Sequence, residues 1–402
     1  MTVHAQLATR TVAQVLVDQL RIQGVARIFC VPGESYLPVL DALYDSGIAV
    51  TICRNEGGAA MMAEAWGKQT GRPGICFVTR GPGATNASGG VHIAQQDSTP
   101  MILFVGQVER ENRGRDAFQE VDYRAFFGGM AKWVAEVNEP DRMAEMVGRA
   151  FSTALAGRCG PVVLSLPHDV LALASQSPDA PAVQALETAP GSMVELEDLL
   201  AQSSRPMLIL GGGRWNEAAL AQVARFAEHF GVPVCTSFRR AHLFDPLHPN
   251  YAGDLGLGAN PKLVARVKAS DLVIAAGARL NELTSQGYSL FDIPVPQMKL
   301  VHAYPGAEEI GRVYRPHLGI HATPQAFAAA LANLEPKRLQ PRQAPADVGA
   351  AHQDYLDWSQ QPLPQPGTVN LSEIMIWLRE HLPTDAILCN GAGNYSGWIH
   401  RF

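Results

Sequence analysis

Along the first 170 residues the apolar positions alternate between two rhythms. Between 11 and 23, Val12, Leu16 and Leu20 recur at helical spacing, and Gly24 follows as a stop. Residues 25–31 then form an unbroken strand-like run. The same alternation predicts a helix over 37–44, a strand over 48–53, a helix over 57–68 and a strand over 74–79. A helix beginning after Gly83 and a strand over 101–106 continue it. Short apolar strands separated by helices predict an α/β fold, a doubly wound parallel sheet covered on both faces. A second block repeats the pattern, with strands expected at 207–210, 232–236, 271–276 and 299–302 and a helix at 217–230.

Two stretches interrupt the rhythm. Residues 174–190 are rich in Pro, Ala, Ser and Gln, and 336–366 carry Pro-Lys-Arg and Pro-Leu-Pro-Gln-Pro; both read as linkers. Three domains are therefore expected, at 1–173, 191–335 and 367–402. In the last, Ser372 is expected to cap a helix reaching Leu382, and 386–389 to start a strand. A helix and a strand cannot bury a core alone, so the third domain is expected to be incomplete in this chain.

Composition narrows the function. The 402 residues are 47% hydrophobic and 17% charged, with a net charge of −6, which argues against nucleic-acid and acidic-membrane partners. No run approaches the roughly 18 apolar residues of a membrane span. Residues 1–10 lack a basic segment followed by an apolar one, so no signal peptide and a cytoplasmic location are expected. Cys30, Cys53, Cys76, Cys159, Cys235 and Cys389 show no metal-ligand spacing and read as free thiols in a reducing compartment.

The densest chemical signal is Arg54-Asn55-Glu56-Gly57-Gly58-Ala59-Ala60, a carboxylate where a strand meets a helix. The helix dipole favours negative charge at that point, and the small residues let a backbone or flat ligand come close. By itself Glu56 reads first as a helix-start residue. Thr79-Arg80-Gly81-Pro82-Gly83-Ala84-Thr85-Asn86 forces a tight strand-to-helix turn whose amides could face a ligand. Asp97-Ser98-Thr99-Pro100, Gly106-Gln107-Val108 and Phe118-Gln119-Glu120 also follow or precede strand ends, where open parallel sheets carry their sites.

Taken in order with Val31-Pro32-Gly33, these motifs resemble the pyrimidine-binding domain of thiamine-diphosphate enzymes of the acetolactate synthase type. The resemblance continues through 205–331 and resumes at 387–398, so it covers nearly the whole chain. It implies that Glu56 is catalytic, hydrogen-bonding the aminopyrimidine ring of thiamine diphosphate so that the thiazolium carbon loses its proton. A 2-oxo acid is then decarboxylated and its remainder joined to a second carbonyl compound. The resemblance places Pro32, Gly33, Thr79, Gly81, Gly83, Asn86 and Gln119 at the cofactor, together with Gly391, Gly393 and Asn394 of the third domain. Glu34, Gln107 and Lys132 fall on the substrate side, Lys132 being equally readable as a surface lysine. The implied assembly is a homo-oligomer with each site between two chains.

The sequence departs from the family in three places. Glu34 stands where acetolactate synthases carry glycine, and Arg80 where serine is common; both bear on the substrate. Gly211, Gly212, Gly213, Gly277 and Arg279 match stretches that hold FAD in acetolactate synthases, but Ala303 and Tyr304 replace the family's acidic residues. FAD binding and simple chain turning are both open readings there. The Gly-Asp-Gly motif that holds Mg²⁺ in the family's third domain has no counterpart, so no metal ligand is expected in this chain. The alternatives are a 2-oxo-acid decarboxylase of the same family and a non-catalytic binding or assembly module. A plain dinucleotide binder fits poorly, since Asn216 stands where G-x-G-x-x-G would need its last glycine.

Overall fold

The computed structural model describes residues 9–334 and 345–402. Most of the amino-terminal stretch and the first part of the second expected linker lie outside them. The chain divides into two compact units, Met1–Leu186 and Glu187–Phe402.

The first unit opens with β1 (Arg10–Thr11) and α1 (Val12–Ile22). Thr11 caps α1 in a capping box: its side chain accepts from the Gln14 amide, and the Gln14 side chain accepts from the Thr11 amide. Then follow β2 (Arg27–Cys30), α2 (Leu37–Leu43), β3 (Ala49–Ile52), α3 (Glu56–Thr70), β4 (Gly74–Val78) and α4 (Pro82–Asp97). The unit continues through β5 (Met101–Gln107), α5 (Tyr123–Phe127), β6 (Trp133–Glu136), α6 (Met143–Leu155), β7 (Pro161–Pro167), α7 (His168–Leu171) and β8 (Ala174–Ser175). Six strands form one parallel sheet in the order β3-β2-β4-β5-β7-β6. The chain leaves β2 toward one edge and returns across it to β4, so the topological switch lies between β2 and β4. Strands β4, β5 and β7 are buried along their whole length, as an unbroken apolar run demands.

Helices α3 and α4 pack against each other through small residues. A Cβ on Gly90 of α4 would lie 2.5 Å from that of Ala60 on α3. Residues 174–186, expected as linker, are tied to this unit: β8 pairs antiparallel with β1, and Ala180 and Val183 pack on the core.

The second unit comprises α8 (Val194–Gln202), β9 (Pro206–Leu210), α9 (Glu217–Phe230), β10 (Val234–Ser237), β11 (Tyr251–Leu255), α10 (Pro261–Ala269) and β12 (Leu272–Ala276). After them come β13 (Lys299–Tyr304), β14 (Leu318–His321), α11 (Pro324–Ala332), α12 (Pro345–Gln360), α13 (Leu371–His381) and α14 (Ser396–Arg401). Its parallel sheet has the order β11-β10-β9-β12-β13-β14. Both sheets are therefore of the expected α/β class.

Three local expectations change. Helix α12 occupies much of the stretch read as a linker. Lys262 pairs with Asp354 at 2.7 Å, Arg266 with Asp354 at 3.0 Å, and Tyr355 meets Tyr251 edge-on at 4.8 Å. The α13 cap is Asn370 instead of Ser372; its side chain accepts from the amides of Ser372 and Glu373. The strand expected at 386–389 is irregular, with Ile387 88% exposed, because among the described residues no neighbouring strand offers it a ladder.

Candidate functional site

The turns that follow β2, β3 and β4 converge at the switch point of the first sheet, where open α/β folds bind ligands. The turn after β2 is wedged between the ends of β4 and β5. A Cβ on Gly33 would stand 2.6 Å from that of Thr79, and one on Gly106 would stand 1.9 Å from Ser35 Oγ, so both positions exclude a side chain. Ser35 is fully buried, and its Oγ shares a hydrogen bond with Thr79 Oγ1 at 2.9 Å. It also accepts the Arg80 amide at 3.3 Å.

The turn after β4 is held from the other side. Gly81 has φ +54 and its amide donates to the Tyr123 hydroxyl at 2.9 Å; that hydroxyl donates to the Gly106 carbonyl at 3.2 Å. Burial raises the Tyr123 phenol to about 12, so it stays protonated as this chain of bonds requires. Gln119, itself at φ 65, covers Gly81, whose added Cβ would meet the Gln119 carbonyl at 2.7 Å. Glu120 closes the preceding loop by accepting from Arg113 at 3.1 Å and from the Gly114 amide at 2.8 Å. Tyr123 and Ser35 were not singled out from sequence. Nothing in Tyr-Arg-Ala-Phe-Phe distinguishes a packing tyrosine from one that fixes a turn.

Glu56 is the first residue of α3, and Asn55 caps that helix by accepting the Gly57 amide at 2.8 Å. Glu56 Oε2 accepts from Asn86 Nδ2 at 3.0 Å. Its other oxygen would lie 3.6 Å from a Cβ on Gly83. The same Cβ would crowd the Thr79 methyl at 2.9 Å, so the glycine lets α4 begin close against the end of β4, beside Glu56. The structure brings Glu56, Gly83 and Asn86 together, with Gly33, Thr79 and Gly81 in the adjoining turns. Pro32 is exposed at the end of β2.

Other candidates fall elsewhere. Gln107 is fully buried; its Nε2 donates to the Val121 carbonyl at 3.0 Å and its Oε1 accepts the Val108 amide at 2.9 Å. Lys132 precedes β6 at the amino end of the sheet, opposite the crevice, and donates to the Ala156 carbonyl at 2.6 Å. The structure does not bring Lys132 to the cluster. In the second unit, Gly391 and Asn394 are exposed and Gly393 is half-buried, in the segment before α14.

The glycines of the second sheet have a packing account of their own. A Cβ on Gly211 would lie 2.8 Å from Ala278 Cα, and one on Gly212 would lie 2.2 Å from the Gly277 carbonyl. Gly212 and Gly277 both adopt positive φ, at 73 and 65. Gly213 has open space around it. Arg279 pairs with buried Glu309 at 3.2 Å, and His302 Nε2 lies 3.0 Å from the Ala278 carbonyl, its burial holding the imidazole below its ordinary value. A separate cavity of about 330 Å³ is lined by Arg239, His242, Asp254, Tyr355, Trp358 and Arg401, among others.

Among the described residues no group of three or more His, Cys, Asp or Glu side chains could hold a metal ion, and no helix is long and apolar enough to cross a membrane. No disulfide joins the cysteines, and burial raises the Cys30 thiol to about 11.

Comparison with known proteins agrees with this geometry. Residues 10–126 match the N-terminal TPP binding domain of thiamine pyrophosphate enzymes, and residues 194–331 match the central domain of the same enzymes. The acetolactate synthase isozyme 2 large subunit of Escherichia coli is 30% identical over 389 residues, covering 96% of this chain and 69% of that protein. The acetolactate synthase large subunit of Corynebacterium glutamicum is 31% identical over 405 residues, covering 98% of this chain and 64% of that protein. The acetolactate synthase of Arthrospira platensis is 34% identical over 317 residues, 75% of this chain and 54% of the relative. The chain thus spans between 54% and 69% of the length of these relatives. With the matched N-terminal and central domains and the Glu56 cluster at the predicted strand ends, the chain belongs to the thiamine pyrophosphate enzyme family, among proteins similar to acetolactate synthase large subunits.

Proposed function

We propose that this chain supplies the pyrimidine side of a thiamine diphosphate site in an acetolactate synthase-like enzyme. Such an enzyme decarboxylates a 2-oxo acid and joins the remainder to a second carbonyl compound. The observation that carries this reading is the Glu56 carboxylate at the switch point, anchored through Oε2 by Asn86 with Gly83 beside Oε1. A flat aminopyrimidine needs an acceptor at its edge and a wall without a Cβ, and these residues fit that demand. When bound, thiamine diphosphate supplies a nucleophilic carbon and an electron sink.

The protein's own part is to position and to hold a proton. Asn86 fixes the rotamer of Glu56, and the amino end of α3 favours a carboxylate there. Oε1 is then the atom that accepts and returns a proton within a short hydrogen bond. Gly81, fixed by Tyr123 and covered by Gln119, sets the backbone of the facing turn. Of the substrate-side residues we retain Glu34, which stands at this crevice.

We further propose that 1–173 and 191–335 act as the pyrimidine and central domains and that 367–402 belongs to the diphosphate-binding domain. Exposed Gly391 and Asn394 would serve a site completed by a second copy of the chain. Among the described residues no acidic cluster is present to hold Mg²⁺, and Gly211, Gly212 and Gly277 serve strand-end packing whether or not FAD binds. No step is assigned to either group. Cysteines without disulfides support a reducing compartment such as the cytoplasm.

The test is calorimetric titration of the chain with thiamine diphosphate and Mg²⁺, beside Glu56→Gln and Asn86→Ala. Saturable binding that weakens in both variants is expected. Equal binding in wild type and Glu56→Gln would remove Glu56 from the site, and no binding at millimolar cofactor would favour a non-catalytic module.

A further inference from the structure

Two residues 46 apart in sequence meet at the crevice of the first sheet. Glu34 follows β2 and Arg80 follows β4, the strands on either side of the switch point. Arg80 Nη2 donates to Glu34 Oε1 at 3.0 Å. The two ends differ sharply in environment: the Arg80 side chain is 16% exposed and that of Glu34 is 70% exposed. The guanidinium is largely withdrawn from water while its partner remains in it.

Arg80 Nε is buried and has no hydrogen-bond acceptor. The backbone around it is fixed by the Arg80 amide on Ser35 and the Gly81 amide on Tyr123, so the side chain leaves a rigid base. Nε and Nη2 lie on one edge of the guanidinium, the fork that takes a carboxylate through two parallel bonds. Here one prong has a single exposed acceptor and the other has none. A largely buried cation short of an acceptor gains most from an anion that fills both prongs.

We propose that Arg80 determines the substrate class of this site: it receives a second carboxylate, so the site takes 2-oxo diacids in preference to 2-oxo monoacids. Glu34 is the stand-in acceptor that turns away into solvent when the diacid arrives. The proposal rests on the reading of the crevice as a 2-oxo acid site. With the 2-oxo acid's own carboxylate held at the reacting centre, a monoacid has none left for Arg80, whereas the second carboxylate of a diacid closes the fork.

The experiment is calorimetry on the full chain, without cofactor, using 2-oxoglutarate, 2-oxobutyrate, glutarate and inorganic phosphate. Wild type is expected to bind 2-oxoglutarate about tenfold or more tighter than 2-oxobutyrate, glutarate and phosphate, the scale of one buried charge-assisted pair. Arg80→Ser should erase that preference. Arg80→Lys, which keeps the charge without the fork, should keep only part of it, and serves where the serine variant folds poorly. Glu34→Gln should retain or strengthen it. The proposal is overturned if folded Arg80→Ser or Arg80→Lys keeps the full preference, if wild type shows none, or if glutarate and phosphate bind as tightly as 2-oxoglutarate. Thiamine diphosphate titration of the same samples separates the two readings. Diacid preference without cofactor binding would sink the pyrimidine site and spare Arg80; cofactor binding without the preference would do the reverse.

Discussion

Asp254 makes the second unit sensitive to pH, and Asp254→Asn measures by how much. The residue lies in β11, where its Oδ2 accepts from Thr236 Oγ1 at 3.0 Å and the carboxylate also takes the Gly256 amide. Burial outweighs both bonds and raises the carboxyl from an ordinary 3.8 to about 7. A carboxyl whose folded value lies above its unfolded value ionises more readily in the unfolded chain. Its cost is therefore absent below about pH 4, grows between about pH 4 and 7, and is constant above that. A rise of about three units at ~1.4 kcal/mol each gives about 4 kcal/mol at neutral pH, as an upper figure. An asparagine keeps an acceptor for Thr236 and cannot ionise. If half or more of that cost is recovered, Tm should rise by roughly 5–10 °C at pH 8 for a unit of this size. Scanning calorimetry of both chains from pH 4.5 to 8 should show curves that converge at the acid end and separate toward pH 8. A constant offset, or a lower Tm for Asp254→Asn at pH 8, would refute the reasoning, since the carboxyl would then be charged at no cost in the fold.

Three further outcomes are expected. Gly90→Ala forces a methyl to within 2.5 Å of the Ala60 Cβ, so the urea midpoint should fall by the equivalent of about 1–3 kcal/mol, and cofactor binding should weaken because α3 and α4 carry Glu56 and Asn86. Asn86→Asp replaces a donor 3.0 Å from Glu56 Oε2 with a second carboxylate. Thiamine diphosphate titration should show binding weakened about tenfold or more while circular dichroism stays that of wild type. Thr99→Val removes the hydroxyl that donates to buried Glu64 Oε1 at 2.8 Å, which should cost about 1–3 kcal/mol in denaturant unfolding, with Thr99→Ser recovering most of it.

What could be read from sequence follows from what local pattern encodes. The alternation of apolar runs placed eight of the twelve strands of the two sheets to within a few residues, because a strand buried on both faces admits little else, but gave no expectation for β6, β7, β11 or β14. Glu56 was legible through its position at a strand-to-helix junction and its motif company. Its bond to Asn86 was not, since only the packing of α3 on α4 brings the two side chains together. Helix α12 was missed because Pro and Gln near 336–366 read as linker, whereas the helix is held by partners on other elements, Lys262, Arg266 and Tyr251. The strand at 386–389 was expected from four apolar-rich residues, but a strand exists only where a neighbour completes its ladder. Lys132 matched by motif order alone, and order does not say at which end of a sheet a residue falls.

The two glycine-rich turns show why such motifs stay ambiguous until the Cβ position is examined. Gly81-Pro82-Gly83 and Gly211-Gly212-Gly213 each follow a buried strand, and either could form a ligand cradle. At Gly211 and Gly212 the missing side chains are replaced by protein: Ala278 and the Gly277 carbonyl stand within 2.8 Å of where a Cβ would be. Those glycines are needed for two strand ends to meet, whether or not a ligand binds. At Gly83 the Thr79 methyl would meet a Cβ at 2.9 Å and Val78 at 3.5 Å, and the third neighbour is a polar atom, Glu56 Oε1, at 3.6 Å. A glycine filled by backbone explains itself through packing. A glycine beside a carboxylate oxygen keeps that oxygen clear of a side chain, which is why the proposed function rests on the Gly83 turn, while Gly213, with open space around it, leaves the second turn's role open.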